Sequence, residues 1–255
     1  MPIIQSVERS LLILDLFDEH TTELKITDIS EQMGLHKSTV HSLLKTLEKF
    51  RYIDQNPENG KYRLGLKLVE RGNFVINTMD IRKVAKKHLR ELSIKTGQTC
   101  HLGILDGSAG VYIDKEEGKM AVIRYSRIGR RIPLHCTAIG KVLLSLQPPE
   151  EVEKLLEGYE YTQHTVHTIK NEQELRHEIS KTAELGYGID DEENEQGVRC
   201  IAVPIKNQDN QVLAAISIST LVSSVDDQKL NYFIELLQNA GRELSEELKY
   251  SSPNV

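Results

Sequence analysis

The sequence predicts an α+β protein: an N-terminal winged helix-turn-helix domain, a connecting helix, and a larger domain of strands wrapped by helices. Three observations carry that expectation. Three helical stretches run directly into a hairpin, a long helical run follows, and strand-like and helical stretches then alternate to the end. With 255 residues and 39% hydrophobic content, the chain holds enough apolar material for two cores without covalent staples. The expected domains are residues 1–66, a linker helix over 67–80, and residues 81–255.

Between Ser6 and Phe17 the apolar positions Val7, Leu11, Leu14 and Leu16 or Phe17 fall near helical spacing, which predicts a first helix ended by "HTTELK". Ile26, Ile29 and Met33 give a short second helix that starts near Lys25 or Thr27, with Gly34 where a left-handed cap residue belongs. After only Leu35 and His36 a third helix begins. Its residues Val40, Leu43, Leu44, Leu47 and Phe50 share one face, whereas Ser38, Ser42, Lys45 and Lys49 project from the other, with Thr39 and His41 on its shoulders. Asn59-Gly60 offers a tight turn between "RYIDQ" and "KYRLG".

From Leu66 to Lys95 the pattern is helical, with a break near "NTMD" and Gly97 as a stop. "TCHLGILDG" and "AGVYIDKEEG" read as paired strands, and "MAVIRYSRIGRRIPL" as further extended structure. "TAIGKVLLSL" is helical until Pro148-Pro149, and "PPEEVEKLLEG" restarts with proline early in a helix. Asn171 and Glu174 form a capping box for a helix closed by Gly186. "GVRCIAVPI" and "QVLAAISIS" are apolar strands, and Asp226 to Tyr250 is a long terminal helix.

Composition narrows the function. The net charge of −6 argues against general polyanion binding, yet residues 36–67 carry seven cationic side chains against three acidic ones, a candidate electrostatic footprint. Cys100, Cys136 and Cys200 cannot all pair within one chain and have no CxxC spacing, which fits a reducing cytoplasm. Glu8, Arg9 and Asp15 break the apolar N-terminus, so neither a signal peptide nor a membrane span is expected.

In a helix-turn-helix the second helix lies in the major groove with its N-terminal residues at base edges. Ser38, Thr39, His41 and Ser42 are therefore placed to read bases or phosphates, and Lys37, Lys45 and Lys49 to touch phosphate. Lys61 and Arg63 are the expected wing contacts, and the partner is double-stranded operator DNA.

The stretches "SVERSLLILDLF", "ITDISEQMGLHKSTVHSLLKTLEKFRYI", "YRLGLKLVERG", "RIPLHCTAIGKVLLS" and "GYGIDDEENEQGVRCIAVPI" together resemble, in order and over essentially the whole chain, the IclR family of bacterial transcription regulators. His36 departs from it, standing where the family often carries proline. The resemblance implies a GAF-like effector-binding C-terminal domain, a homodimer or homotetramer, and a pocket that often takes small organic acids. Carried over by motif, Ala138 and Ile139 bring backbone amides to that pocket, Asp190 and Cys200 come from "GIDDEENEQGVRC", and Ser217 and Ser219 from "LAAISIS". Physically, a helix N-terminus suits a carboxylate, and alternate serines on a strand point to one side.

Two other classes compete. Cys100-His101 and His135-Cys136 are adjacent pairs, but neighbours on a strand face opposite ways, and GxSxG, HExxH and Walker-type motifs do not occur, so no catalytic residue and no cofactor are expected. Cys100 or His101, Cys136 or His135, and Cys200 could instead gather a zinc-class ion in a metal- or redox-responsive regulator, although no paired-ligand spacing marks such a site.

Overall fold

A computed structural model describes residues 3–120 and 126–249 as two compact units, 1–78 and 79–255. In the first unit, helices α1 (Gln5–Asp15), α2 (Ile26–Met33) and α3 (Lys37–Lys49) precede an antiparallel hairpin of β1 (Ile53–Gln55) and β2 (Tyr62–Leu64), and α4 (Lys67–Thr78) follows. Its core is Ile13, Phe17, Leu24, Ile29, Val40, Leu44, Ile53 and Tyr62. Gly34 ends α2 at φ +62°, and the Ser30 hydroxyl donates to Leu35 O at 2.6 Å, so the chain turns sharply into α3.

Three details differ from the sequence reading. On α1 the inward residue is Ile13, while Val7 (55% exposed) and Leu11 (58% exposed) face outward: the helix carries two apolar stripes, and periodicity alone does not say which one the core takes. Phe50, expected on the buried face of α3, is its C-cap residue and is 60% exposed, because the helix ends before that turn completes. The hairpin tip is not a two-residue turn. It runs from Asn56 to Lys61, closed by Asn56 N–H donating to Lys61 O at 2.8 Å. A type I′ turn needs two left-handed residues, and here Gly60 has positive φ but Asn59 does not. The Glu23 carboxylate accepts from the Asn56 and Asn59 side chains, each at 2.9 Å, and fastens the tip.

Gly65 sets the wing against the end of α3. A β-carbon there would lie 2.2 Å from Arg51 O, so only glycine fits the passage from β2 to α4.

The second unit is a six-stranded antiparallel sheet of β3 (Thr99–Asp106), β4 (Ala109–Glu116), β5 (Arg131–Ile132), β6 (Gly188–Asp191), β7 (Val198–Lys206) and β8 (Val212–Leu221), in the order β5-β4-β3-β8-β7-β6. Helices α5 (Asp80–Thr96) and α9 (Asp227–Lys249) bury Ile81, Leu89, Phe233 and Leu237 on one face, against Cys100, Leu102, Ile216 and Ile218. On the other face α6 (Ala138–Ser145) lies close to the sheet: Ile139 fills the space a β-carbon at Gly103 would need. Helices α7 (Pro149–Leu156) and α8 (Glu172–Leu185) complete that layer with Val152, Leu156, Leu175 and Ile179. Asn171 Oδ1 accepts from Glu174 N–H at 3.0 Å and caps α8. Of the expected extended stretch after Lys119, residues 121–125 lie outside the described residues, and β5 is the strand within the remainder. Among the described residues no helix is long and apolar enough to cross a membrane.

Candidate nucleic-acid interface and effector site

On α3, Val40 and Leu44 are buried, whereas Lys37, Ser38, His41, Ser42, Lys45 and Lys49 are exposed and Thr39 is half-buried. The polar side of the helix therefore faces solvent as its spacing predicts. Its hydroxyls are partly committed: Ser42 Oγ donates to Ser38 O at 3.1 Å, which fixes its rotamer and leaves its lone pairs outward. Lys45 is paired with Glu48 at 2.7 Å, and on the wing Arg63 stands 3.9 Å from Glu23. Lys61 is half-buried and Arg63 exposed beside it.

The predicted effector residues meet on the α6 side of the sheet, because the strand register aligns them. Asp190 pairs with Cys200, Cys200 with Ser219, and Ser219 with Thr99; on the next same-facing rung Ala202 pairs with Ser217 and Ser217 with His101. Ser217 and Ser219 are both buried. Cys200 Sγ donates to Ser219 Oγ at 3.1 Å, and Ser219 Oγ stands 3.5 Å from His101 Nδ1. Above them is the start of α6. Thr137 Oγ1 accepts from Gly140 N–H at 3.0 Å, leaving the amides of Ala138 and Ile139 without an acceptor among the described residues. The side chains of Ala138 and Ile139 themselves go into an apolar cluster with Ile132, Val142, Ala202 and Ala215.

Burial dominates the electrostatics. Asp190 is pushed up to about 7, by burial first and the neighbouring Glu193 second, although its Oδ1 accepts from Glu193 N–H at 2.8 Å and Asn194 N–H at 3.3 Å. Burial also raises the Cys200 and Tyr112 groups above their ordinary values, and takes Cys136 up to about 12. His101 falls to about 3, through burial and then the positive charges of Lys115 and Arg130, so its ring is neutral.

Several residues here escaped the sequence reading. His101 stacks on Tyr112 at 4.5 Å between centroids, and its Nε2 is buried without a hydrogen-bond partner among the described residues. Lys141 is 0% exposed; its Nζ donates to Ile189 O at 2.7 Å and Glu193 Oε1 at 2.5 Å. A lone lysine inside the apolar run "TAIGKVLLSL" was the available signal, since a charge on an all-round apolar helix must find a buried partner. The alternative Cys/His gathering of Cys100 or His101, Cys136 or His135, and Cys200 does not form among the described residues: Cys100 points into the α5/α9 core, and Cys200 bonds Ser219. His135 and Cys136 instead converge with His164.

An outward helix of hydroxyls and lysines, with a separate unit holding a buried polar patch, divides the work as a ligand-controlled DNA-binding regulator requires. The chain belongs to the IclR family of bacterial transcriptional regulators: residues 73–246 match the IclR C-terminal family and residues 6–57 the IclR helix-turn-helix domain. It is similar to the HTH-type transcriptional regulator XynR of Escherichia coli (strain K12), 63% identical over 98% of this chain and 99% of that protein. The crystal structure of Thermotoga maritima IclR is 32% identical, with a TM-score of 0.76 over 96% of this chain and 99% of that one. An IclR homolog from Microbacterium hydrocarbonoxydans, complexed with 4-hydroxybenzoate, shares the fold at 23% identity and TM-score 0.81, over 96% and 100% of the two chains. The protein is a DNA-binding transcriptional regulator with an IclR-type effector domain.

Proposed function

We propose that the protein is a cytoplasmic repressor that binds near-palindromic operator DNA as a dimer and is switched by a small organic acid, without turning that acid over. The observation that carries this reading is the exposed face of α3, where Ser38, Thr39, His41 and Ser42 precede Lys45 and Lys49. Base readers at the N-terminal end, with cations beyond them and on the wing, follow the order in which a recognition helix meets the groove. Repression needs occupancy of the operator and nothing else.

Apolar surface supports the dimer. Ile3, Ile4, Val7 and Leu11 form an exposed stripe on and before α1, and α4 buries none of its residues while exposing Val69, Phe74 and Val75. A second copy covering these faces forms a self-complementary interface, and to read successive major grooves such a dimer must hold its two α3 helices roughly 34–36 Å apart, one DNA turn.

For the effector, the Ala138 and Ile139 amides offer a carboxylate two donors at a helix start, with Ser217 and Ser219 beneath. His101 Nε2, which has no hydrogen-bond partner among the described residues, adds a neutral partner for a hydroxyl or carbonyl. A carboxylic acid in the Microbacterium homolog agrees with that chemistry. The acid switches the protein only by binding two dimer arrangements unequally. Selection of bound fragments from genomic DNA is the test. The expected result is a short set sharing a near-palindrome with half-sites one turn, or a whole number of turns, apart; binding without sequence preference at low salt would overturn it.

A further inference from the structure

Three ligand-type side chains outside the predicted sites converge just before α6. One atom from each of His135, Cys136 and His164 lies within 4.8 Å of the others. Ligand atoms around a tetrahedral zinc stand about 3.3–3.8 Å apart, so closing on an ion asks for a movement of at most about 1–1.5 Å. His164 is exposed, so its side chain has room to make it. Residues 133–137 are not strand, so the adjacent His135 and Cys136 are not forced to opposite faces.

The surroundings prepare the ligands. His135 Nε2 stands 3.1 Å from Thr162 O, and a carbonyl only accepts, so Nε2 carries the proton and Nδ1 offers its lone pair. Tyr159 hydroxyl, which accepts from Leu134 N–H at 2.9 Å, now donates to that lone pair at 3.0 Å. A carbonyl on the far nitrogen is the support that metal-binding histidines have. Among the described residues the Cys136 Sγ hydrogen bond is a long one, 3.9 Å to Asn194 Oδ1. The loop bearing His164 is fastened by the Thr165 and Thr168 hydroxyls, which donate to Glu192 O and Glu193 O, each at 2.6 Å. Tyr159, Glu160 and His164 also line a cleft of about 490 Å³ that gives access from solvent.

We propose that His135 Nδ1, Cys136 Sγ and His164 bind one zinc-class divalent cation per chain, with the fourth position open to water from the cleft. Two imidazoles and a sulfur suit zinc, whereas calcium and magnesium need oxygen ligands. On binding, the Cys136 proton leaves to solvent as the sulfur–metal bond forms, and the Tyr159 hydroxyl turns away while keeping the Leu134 amide.

The test uses full-length, tag-free protein, stripped with chelator, desalted and titrated with cobalt(II). The expected result is one cobalt per chain, with a sulfur-to-cobalt charge-transfer band in the near ultraviolet that zinc abolishes by displacement. Cys136→Ser loses the band, exposed-site His164→Ala weakens binding by at least about tenfold, and Cys100→Ala behaves as wild type. No band in wild type, a band that survives Cys136→Ser, or unchanged affinity in His164→Ala overturns the proposal. None of these readouts involves DNA or an organic acid, so they stand apart from the operator and effector readings.

Discussion

Glu48→Gln gives a quantitative view of how α3 meets DNA. Five cations per protomer are candidates for phosphate contact: Lys37, Lys45 and Lys49 on α3, Lys61 and Arg63 on the wing. Two of them are paired in the free protein, Lys45 with Glu48 at 2.7 Å and Arg63 with Glu23 at 3.9 Å. If the paired ones stay with their carboxylates, a dimer neutralises about six phosphates and log affinity falls with log salt at a slope of about −5. Glu48→Gln keeps the side chain's shape and removes its charge, which frees Lys45 in each protomer and steepens the slope to about −7. Exposed ion pairs are weak, so the gain in affinity is modest, about two- to fivefold at low salt. Fluorescence anisotropy with a selected operator duplex across a potassium chloride series measures both quantities. Unchanged slope and affinity would refute the idea that Lys45 turns from Glu48 to phosphate.

Further perturbations address the rest of the molecule. Ser219→Ala removes a hydroxyl from the buried rung and should weaken binding of a small carboxylic acid about tenfold, the effect of one hydrogen bond; calorimetry that finds equal binding would take Ser219 out of the site. Asp190 has its affinity for a proton raised in the folded state, so it contributes a stability loss as pH rises from its unfolded value of 3.8 toward about 7. Asp190→Asn keeps the acceptor for the Glu193 and Asn194 amides and removes that slope, so melts at pH 5 and pH 7 should show the variant gaining on wild type by up to about 2.3 kcal/mol; parallel curves would contradict the shift. Gly65→Ala drives a β-carbon to 2.2 Å from Arg51 O and should cost the first unit at least about 2 kcal/mol in thermal unfolding, with an unchanged melt counting against that packing.

What the sequence made legible was local. Gly34 at the end of α2 and Asn171 before α8 act on their own backbone neighbours, and the two faces of α3 separate at 100° per residue. Alternation along β8 put Ser217 and Ser219 on one side, and the register then set Cys200 and Asp190 beside them. Choices between equal periodicities were not legible: α1 has apolar residues on two sides, and the core took Ile13 rather than Val7. Pairings across distance were hidden as well. Lys141 reaches Glu193, and His164 reaches His135 and Cys136, through turns whose course depends on Thr165 and Thr168 finding carbonyls near Glu193. No spacing in the chain encodes those meetings.

In the proposed complex the hydroxyl and imidazole side of α3 reads bases while its lysines hold the backbone. Binding-site selection from random duplexes, run in parallel on wild type, His41→Ala and Lys49→Ala, tests it directly. His41→Ala should flatten the preference at particular positions of each half-site, and Lys49→Ala should weaken all sequences alike with the profile kept. An unaltered profile from His41→Ala, or a reshaped one from Lys49→Ala, would contradict the claim.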